Sequence, residues 1–251
     1  MKSNLEWKKW GEVDPLYAVA TWEGKERGSA GAWTDEEFYN LGHVDWKNFV
    51  AQWRQYGVSF GRAVEIGCGA GRITRQLADS FGTVTAIDVS EHQIAYAKAH
   101  ISATNINFKV TDGLTIPVAD AETDAVFSVH VFQHFESHED ALKVFAEVHR
   151  TLKPGGTMMI HLPIYQLPDS KIAGPCEVLI TAWRIMAEQK ATLKRALLKR
   201  GFGRPLMRRL EYQKRLLFAA LTGIGFSQIE LRSFAVSSNG TYHDFVFATK
   251  G

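Results

Sequence analysis

The sequence predicts an α/β fold built on a doubly wound parallel sheet, and three observations carry that reading. Between about residues 60 and 165, short apolar runs alternate with helical patterns, which specifies parallel strands joined by right-handed crossovers. The first run, Ala63-Val64-Glu65-Ile66, passes straight into Gly67-Cys68-Gly69-Ala70-Gly71-Arg72, a glycine turn that opens a helix. The second run, Val84-Thr85-Ala86-Ile87, ends on Asp88, 21 residues after Gly67. In a sheet of this kind a carboxylate there accepts hydrogen bonds from ribose hydroxyls, so the turn is read as the cradle of an adenosine-type ligand.

In chain order, residues 1–58 form an aromatic-rich extension holding six of the seven tryptophans, Trp7, Trp10, Trp22, Trp33, Trp46 and Trp53. Thr34-Asp35-Glu36-Glu37 is an N-cap with an acidic first turn, followed by Phe38, Leu41, Val44, Phe49, Val50 and Trp53 at helical spacing. Residues 59–165 are the ligand-binding core, with strands near 63–66, 83–87, 106–110, 124–129 and 157–162 and helices near 70–80, 91–103 and 138–152. Residues 166–212 are a basic helical insertion, a cap on the core. Residues 213–251 return to the core with a helix near 213–223 and strands near 226–234 and 242–249, separated by the turn signal Asn239-Gly240.

The third glycine selects the ligand class. A dinucleotide fingerprint wants glycine at position 72, where helix and strand pack closely beneath a pyrophosphate. This chain has Arg72 there and Gly71 instead, which argues against an NAD-dependent oxidoreductase. The pattern G-x-G-x-G after an acidic residue resembles the first motif of the class I S-adenosylmethionine-dependent methyltransferases. The resemblance continues in register through Asp88-Val89-Ser90, Val110-Thr111-Asp112-Gly113, Asp124-Ala125-Val126-Phe127-Ser128-Val129-His130 and Glu147-Val148-His149-Arg150-Thr151-Leu152-Lys153-Pro154-Gly155-Gly156. It covers roughly residues 60–165; beyond Tyr165 it speaks of fold only.

That resemblance implies a Rossmann-like seven-stranded sheet in the order 3-2-1-4-5-7-6, with the last strand antiparallel, and S-adenosylmethionine as cofactor, released as S-adenosylhomocysteine. It further implies that the backbone of Gly67, Gly69 and Gly71 cradles the methionine portion while Glu65 positions the turn or the ligand ammonium. Asp88 would hold the ribose, Asp112 beside Gly113 the adenine amino group, Val89 and Gln93 the ring faces, and carbonyls of Val129 or His130 the ammonium. N-terminal helices close over the cofactor in that family, which makes Phe38 and Tyr39 candidates for a lid.

His134, in Val131-Phe132-Gln133-His134-Phe135 just after the fourth strand, is the candidate general base, because a neutral imidazole accepts a proton near pH 7. Packing against a backbone carbonyl is the competing reading of the same residue. His130, His138 and His161 are weaker candidates. His130, His134 and Asp112 lack an H-x-x-x-H helix with a third ligand at fixed spacing, so no metal is assigned. Cys68 and Cys176 are too few and too far apart for a disulfide framework or a metal cluster.

The net charge of +2 conceals an asymmetry: ten basic residues and one acid, Glu211, lie between Gln189 and Arg215. Leu193, Ala196, Leu197, Leu206 and Leu210 recur there at helical spacing, so the segment reads as an amphipathic cap with solvated cations. It lacks interleaved aromatics for base stacking, which argues against nucleic acid, and contact of residues 189–215 with an anionic acceptor or surface is the second reading. No apolar run approaches the ~20 residues that span a bilayer, and the polar start Met1-Lys2-Ser3-Asn4 lacks an apolar signal region, so the protein is expected in the cytoplasm. The sequence carries no signal for an oligomeric state. Together these features predict a methyltransferase acting on a small molecule or sugar, with oxygen favoured over nitrogen or carbon. A noncatalytic adenosyl-ligand-binding protein on the same fold is the alternative.

Overall fold

The structure is a computed structural model that describes residues 2–166, 210–236, 238 and 240–251. Helices α1 (Lys2–Val13), α2 (Pro15–Val19) and α3 (Asp35–Tyr56) precede a core of β1 (Arg62–Ile66), α4 (Thr74–Ser80), β2 (Thr83–Asp88), α5 (Glu91–His100), β3 (Ile106–Val110) and β4 (Thr123–Ser128). A 3-10 turn at Phe132–His134 leads into α6 (His138–Thr151), β5 (Leu152–His161) and a short β6 (Ile164–Tyr165). After β7 (Tyr212–Gln213) come α7 (Lys214–Ile224), β8 (Phe226–Ala235) and β9 (Tyr242–Lys250).

Seven strands form one sheet in the order β3-β2-β1-β4-β5-β9-β8. β1 to β5 are mutually parallel and β9 runs antiparallel to both its neighbours. Numbered within the sheet alone, this is the expected 3-2-1-4-5-7-6. The strand alternation separates two cores. Ala125 and Phe127 of β4 face Trp46, Phe49 and Trp53 of α3, while Val126 faces Val144, Phe145 and Val148 of α6 and Leu217 and Leu221 of α7.

α3 begins where the sequence places it. Thr34 Oγ1 accepts from the Glu37 N–H at 3.2 Å while the Glu37 carboxylate accepts from the Thr34 N–H, a complete capping box. Trp53 is fully buried beneath the sheet and donates Nε1–H to Thr157 Oγ1 at 3.0 Å. Trp46 and Trp53 therefore fasten the extension to the sheet. Trp7 and Trp10 belong instead to α1, where Trp7 lies against His134 and Trp10 against Tyr17.

Three boundaries differ from expectation. α4 starts at Thr74 rather than near residue 70 because residues 67–71 are taken up by the turn, with Gly67, Gly69 and Gly71 all at positive φ. α5 ends at His100, where Ile101 adopts an extended backbone. β5 starts at Leu152, five residues early, because the Lys153-Pro154-Gly155-Gly156 bend is absorbed as an irregularity in its pairing with β4. The parallel pair β6–β7, unforeseen in the sequence, ties together the two ends of the basic insertion. Of that insertion only residues 166 and 210–212 are described; the helical spacing read at 193–206, most of the basic run, and Cys176 lie outside the described residues. Leu210 donates its N–H to the Gln133 carbonyl at 2.6 Å, and the Tyr212 hydroxyl donates to the Phe132 carbonyl at 2.7 Å.

If Trp53 is the main fastener of α3, Trp53→Ala lowers unfolding free energy by about 3–5 kcal/mol in urea titration, whereas Thr34→Ala costs about 1 kcal/mol. Equal losses from the two variants would show that the cap, not the indole, sets the attachment.

Candidate functional site

The parallel strands deliver their carboxyl ends to one edge of the sheet, and the loops there enclose a cavity of about 370 Å³. β1 runs into the glycine turn, whose Gly67 and Cys68 N–H groups donate to the Ile87 carbonyl at 2.8 and 3.0 Å. A Cβ at Gly67 would collide with Val131 and one at Gly69 with Val19, and both residues hold left-handed backbone, so glycine is required twice over.

Asp88 closes this turn. One carboxylate oxygen accepts from the Gly69 N–H at 2.9 Å, and the other from the Ser90 N–H at 2.8 Å. Surrounding protein pushes its pKa up, and these backbone donors pull against that shift. Ser90 Oγ then accepts from the Gln93 N–H and starts α5. Gln93 is buried; its Nε2 donates to the Pro15 carbonyl at 3.0 Å, and its Oε1 has no hydrogen-bond partner. A buried orphan acceptor in a cavity wall is what a ligand donor would satisfy.

Of the residues assigned to the site from sequence, Gly67, Gly69, Asp88, Val89, Gln93, Gly113, Val129, His130 and His134 all line the cavity. Four other expected residues do not. Glu65 is buried beneath the turn, where it accepts from Thr74 Oγ1 at 2.5 Å and so couples β1 to α4. Burial raises its pKa to about 7 against the opposing pull of Thr74 and Arg72. Gly71 packs against Ala97 and Ile101 of α5. The Asp112 carboxylate is exposed and accepts from the Leu114 and Thr115 N–H groups at 2.9 and 2.8 Å, which hold its pKa low. Phe38 is fully buried in a cluster with Leu16, Ala20, Tyr39 and Ala70, and so is core rather than lid. Its neighbour Tyr39 donates its hydroxyl to the Ala70 carbonyl at 2.9 Å, and burial lifts that phenol to about 12.

Closure comes from α1 and α2 instead. Ser3, Asn4 and Trp7, with residues 18–22, form the cavity roof. The Ser3 N–H donates to Glu136 Oε1 at 2.7 Å and Asn4 Nδ2 donates to the Asp112 carbonyl at 2.6 Å, so the roof is fastened to the loops after β3 and β4. The wall beyond β4 is rich in histidine. His134, in the 3-10 turn, has its ring 4.7 Å from that of Trp7, with Nε2 3.0 Å from Gln133 Nε2. His130 adopts a left-handed backbone, φ +59°, unusual for a residue with a side chain, and its N–H donates to His161 Nδ1 at 3.3 Å. His243 of β9 joins them, Nδ1 to His161 Nε2 at 3.2 Å. Burial, with neighbouring His161 and Arg72, holds His130 well below the ordinary imidazole range, and burial also lowers His243.

Asp45 of α3 and Arg72 of the turn complete the wall, paired at 2.5 Å and both buried. Arg72 Nε has no hydrogen-bond partner. Sequence reasoning missed Asp45, Trp7 and His243. Asp45 and His243 lie on elements with no motif of their own, and Trp7 was one tryptophan among the six of the extension.

The chain is similar to known proteins over its strand-rich core. Residues 64–160 match the family model described as a methyltransferase domain. Over 131 residues the chain is 33% identical to a malonyl-[acyl-carrier protein] O-methyltransferase of Enterobacter lignolyticus, covering 52% of this chain and 47% of that protein. Over 101 residues it is 35% identical to phosphoethanolamine N-methyltransferase 2 of Caenorhabditis elegans, covering 39% of this chain and 22% of that protein. The chain thus spans less than half the length of these relatives. The fold is shared with magnesium protoporphyrin IX methyltransferase from Synechocystis, solved with bound S-adenosylhomocysteine, at a TM-score of 0.56 and 16% identity over 89% of this chain and 90% of that one.

The buried Glu65 gives the site a pH signature in the ligand-free protein. An acid whose pKa rises from 4.5 to about 7 on folding binds its proton more tightly in the native state. Its contribution to stability therefore falls as pH rises from about 4.5 to about 7, then levels off. Glu65→Gln removes that slope, so its stability relative to wild type improves by on the order of 2 kcal/mol between pH 5 and pH 8 in urea titrations. Parallel curves for the two proteins would mean that Glu65 is already ionised at acid pH.

Proposed function

We propose that residues 64–160, which match a model described as a methyltransferase domain, hold S-adenosylmethionine, and that the chain transfers the cofactor's methyl group to an oxygen of a small molecule and releases S-adenosylhomocysteine. The observation that carries this reading is a single cavity lined both by the glycine turn, Asp88, Val89 and Gln93 and by His130, His134 and His243.

The cofactor end fits the ligand. Each Asp88 oxygen accepts one backbone N–H and keeps lone-pair capacity for the two ribose hydroxyls. Gln93 Oε1 is free to accept from the adenine side, beside Val89, Thr111 and Gly113. The turn from Gly67 to Gly69 follows the amino-acid portion, with Val129 and His130 opposite. When bound, the cofactor supplies a methyl group on a sulfonium, a good leaving group. What remains for the protein is to hold the acceptor atom in line, a contribution of ~7–11 kcal/mol, and to take up its proton, a factor of about 10² to 10⁴.

Proton uptake is the part that favours oxygen. A hydroxyl must lose its proton, and His134 on the acceptor wall is the candidate base. An ammonium acceptor wants a carboxylate, yet Asp45 is committed to Arg72 and Asp88 belongs to the cofactor end. The roof of α1 and α2 covers part of the cavity, and the Trp7 ring packs 4.7 Å from that of His134. A small or sugar-like acceptor and a cytoplasmic setting are part of this proposal, the latter supported by the buried free thiol of Cys68. The residues around 189–215 remain a second route for an anionic acceptor.

Calorimetry with S-adenosylhomocysteine and turnover with isotopically labelled S-adenosylmethionine on metabolite pools test the reading. Asp88→Ala weakens binding roughly tenfold to a hundredfold. His134→Ala lowers kcat by about 10² to 10⁴ with S-adenosylhomocysteine affinity nearly intact, and wild-type turnover rises with pH through the imidazole titration. Label recovered only on amines would overturn oxygen as the acceptor, and binding without turnover in any pool would favour a noncatalytic adenosyl-ligand protein.

A further inference from the structure

We propose that His130, His161 and His243 form a binding site for one divalent transition-metal ion of the zinc class, open to the cavity on its fourth side. The three residues come from three neighbouring elements of the sheet. His130 follows β4, His161 ends β5, and His243 lies near the start of β9, and these strands are hydrogen-bonded side by side. Their ring centroids are 4.4 to 5.1 Å apart, and one nitrogen from each falls within 4.8 Å of the others. Strand ends rather than flexible loops set two of these positions, and the left-handed backbone at His130 turns the third toward them.

The donor set selects the metal. Three imidazoles without a carboxylate suit zinc, cobalt or nickel, whereas magnesium and calcium demand oxygen ligands. In a tetrahedral zinc site with bonds near 2.0–2.1 Å, ligand nitrogens lie about 3.4 Å apart. His161 Nε2 and His243 Nδ1 are already 3.2 Å apart, so the ion replaces their hydrogen bond and His130 closes by ring rotation. His243 also has an outer partner, because Thr241 Oγ1 lies 2.7 Å from Nε2 and can hold the proton on that nitrogen while Nδ1 faces the cluster.

His161 accounts for the remaining proton. In the metal-free protein its Nδ1 accepts from the His130 N–H, so Nε2 carries the proton and donates to His243. Metal binding moves that proton to Nδ1 and gives up the long 3.3 Å contact, with no net proton release from this residue. The nearby Arg72 charge is balanced by Asp45, so the ion meets no uncompensated cation. His130 and His243 line the cavity, leaving room for a water or an acceptor oxygen as fourth ligand. Binding of the metal stands apart from the methyl-transfer proposal; a role in aligning the acceptor oxygen would rest on it.

The test uses the whole chain, stripped with a chelator and titrated with zinc or cobalt alone. One equivalent binds saturably, and the cobalt form shows the intense visible bands of tetrahedral coordination. His243→Gln and His130→Gln each weaken zinc binding at least tenfold, Thr241→Val weakens it less, and the exposed His92→Ala leaves it unchanged. S-adenosylhomocysteine titration of each variant reports independently that the fold is intact; should His130→Gln lose it, His243→Gln and Thr241→Val carry the test. Absence of saturable binding, a weak octahedral cobalt spectrum, or zinc affinity untouched in folded His243→Gln would overturn the proposal. In those cases the three histidines form only a hydrogen-bonded chain.

Discussion

The contact on which this structure depends most is the Asp88 carboxylate, shared between the Gly69 and Ser90 N–H groups. It joins the end of β2 to the turn after β1 and to the first turn of α5. A carboxylate at the exit of a parallel strand is held there by backbone donors that no side-chain substitution elsewhere replaces. Its position fixes where the glycine turn lies, and the turn fixes the floor of the cavity. Gly67 and Gly69 then become obligatory because Val131 and Val19 occupy the space that a Cβ would need.

The second constraint is closure. Residues of α1 and α2 form part of the cavity lining and so supply its cover. α3 is the anchor beneath, held by Trp46 and Trp53 on the Phe127 face of the sheet. One extension thus performs two tasks, with its aromatic residues divided between them. Trp53 is core, whereas Trp7 meets His134 at the histidine-rich wall of the cavity. The end of the insertion contributes too, since Leu210 and Tyr212 bond to the carbonyls of Gln133 and Phe132 and steady the turn that carries His134.

Most of the core was legible because its signals are local. Strand periodicity, the glycine turn and the strand-end acids each follow from a few adjacent residues, and the seven-stranded order is the one the family resemblance implied. Residues that act at a distance were harder to read. Glu65 and Phe38 have the right spacing for site residues, but β1 is covered on both faces and α3 buries one stripe, and both side chains lie inside. Asp112 satisfies its own turn, a competition that short polar side chains win locally. His243 was invisible because it lies 82 residues from His161, and only the antiparallel pairing of β9 with β5 brings them together. Asp45 is likewise 27 residues from Arg72 and meets it only through the packing of α3 on the turn.

The central claim is that one cavity orders cofactor and acceptor along a line from Asp88 to the histidine wall. A crystal structure with S-adenosylhomocysteine tests it most directly. The account predicts the ribose hydroxyls on the Asp88 carboxylate, a donor from the ligand on Gln93 Oε1, and the sulfur facing His130 and His134. A ligand bound elsewhere, or one lying along the turn with its sulfur directed away from the histidines, would contradict it.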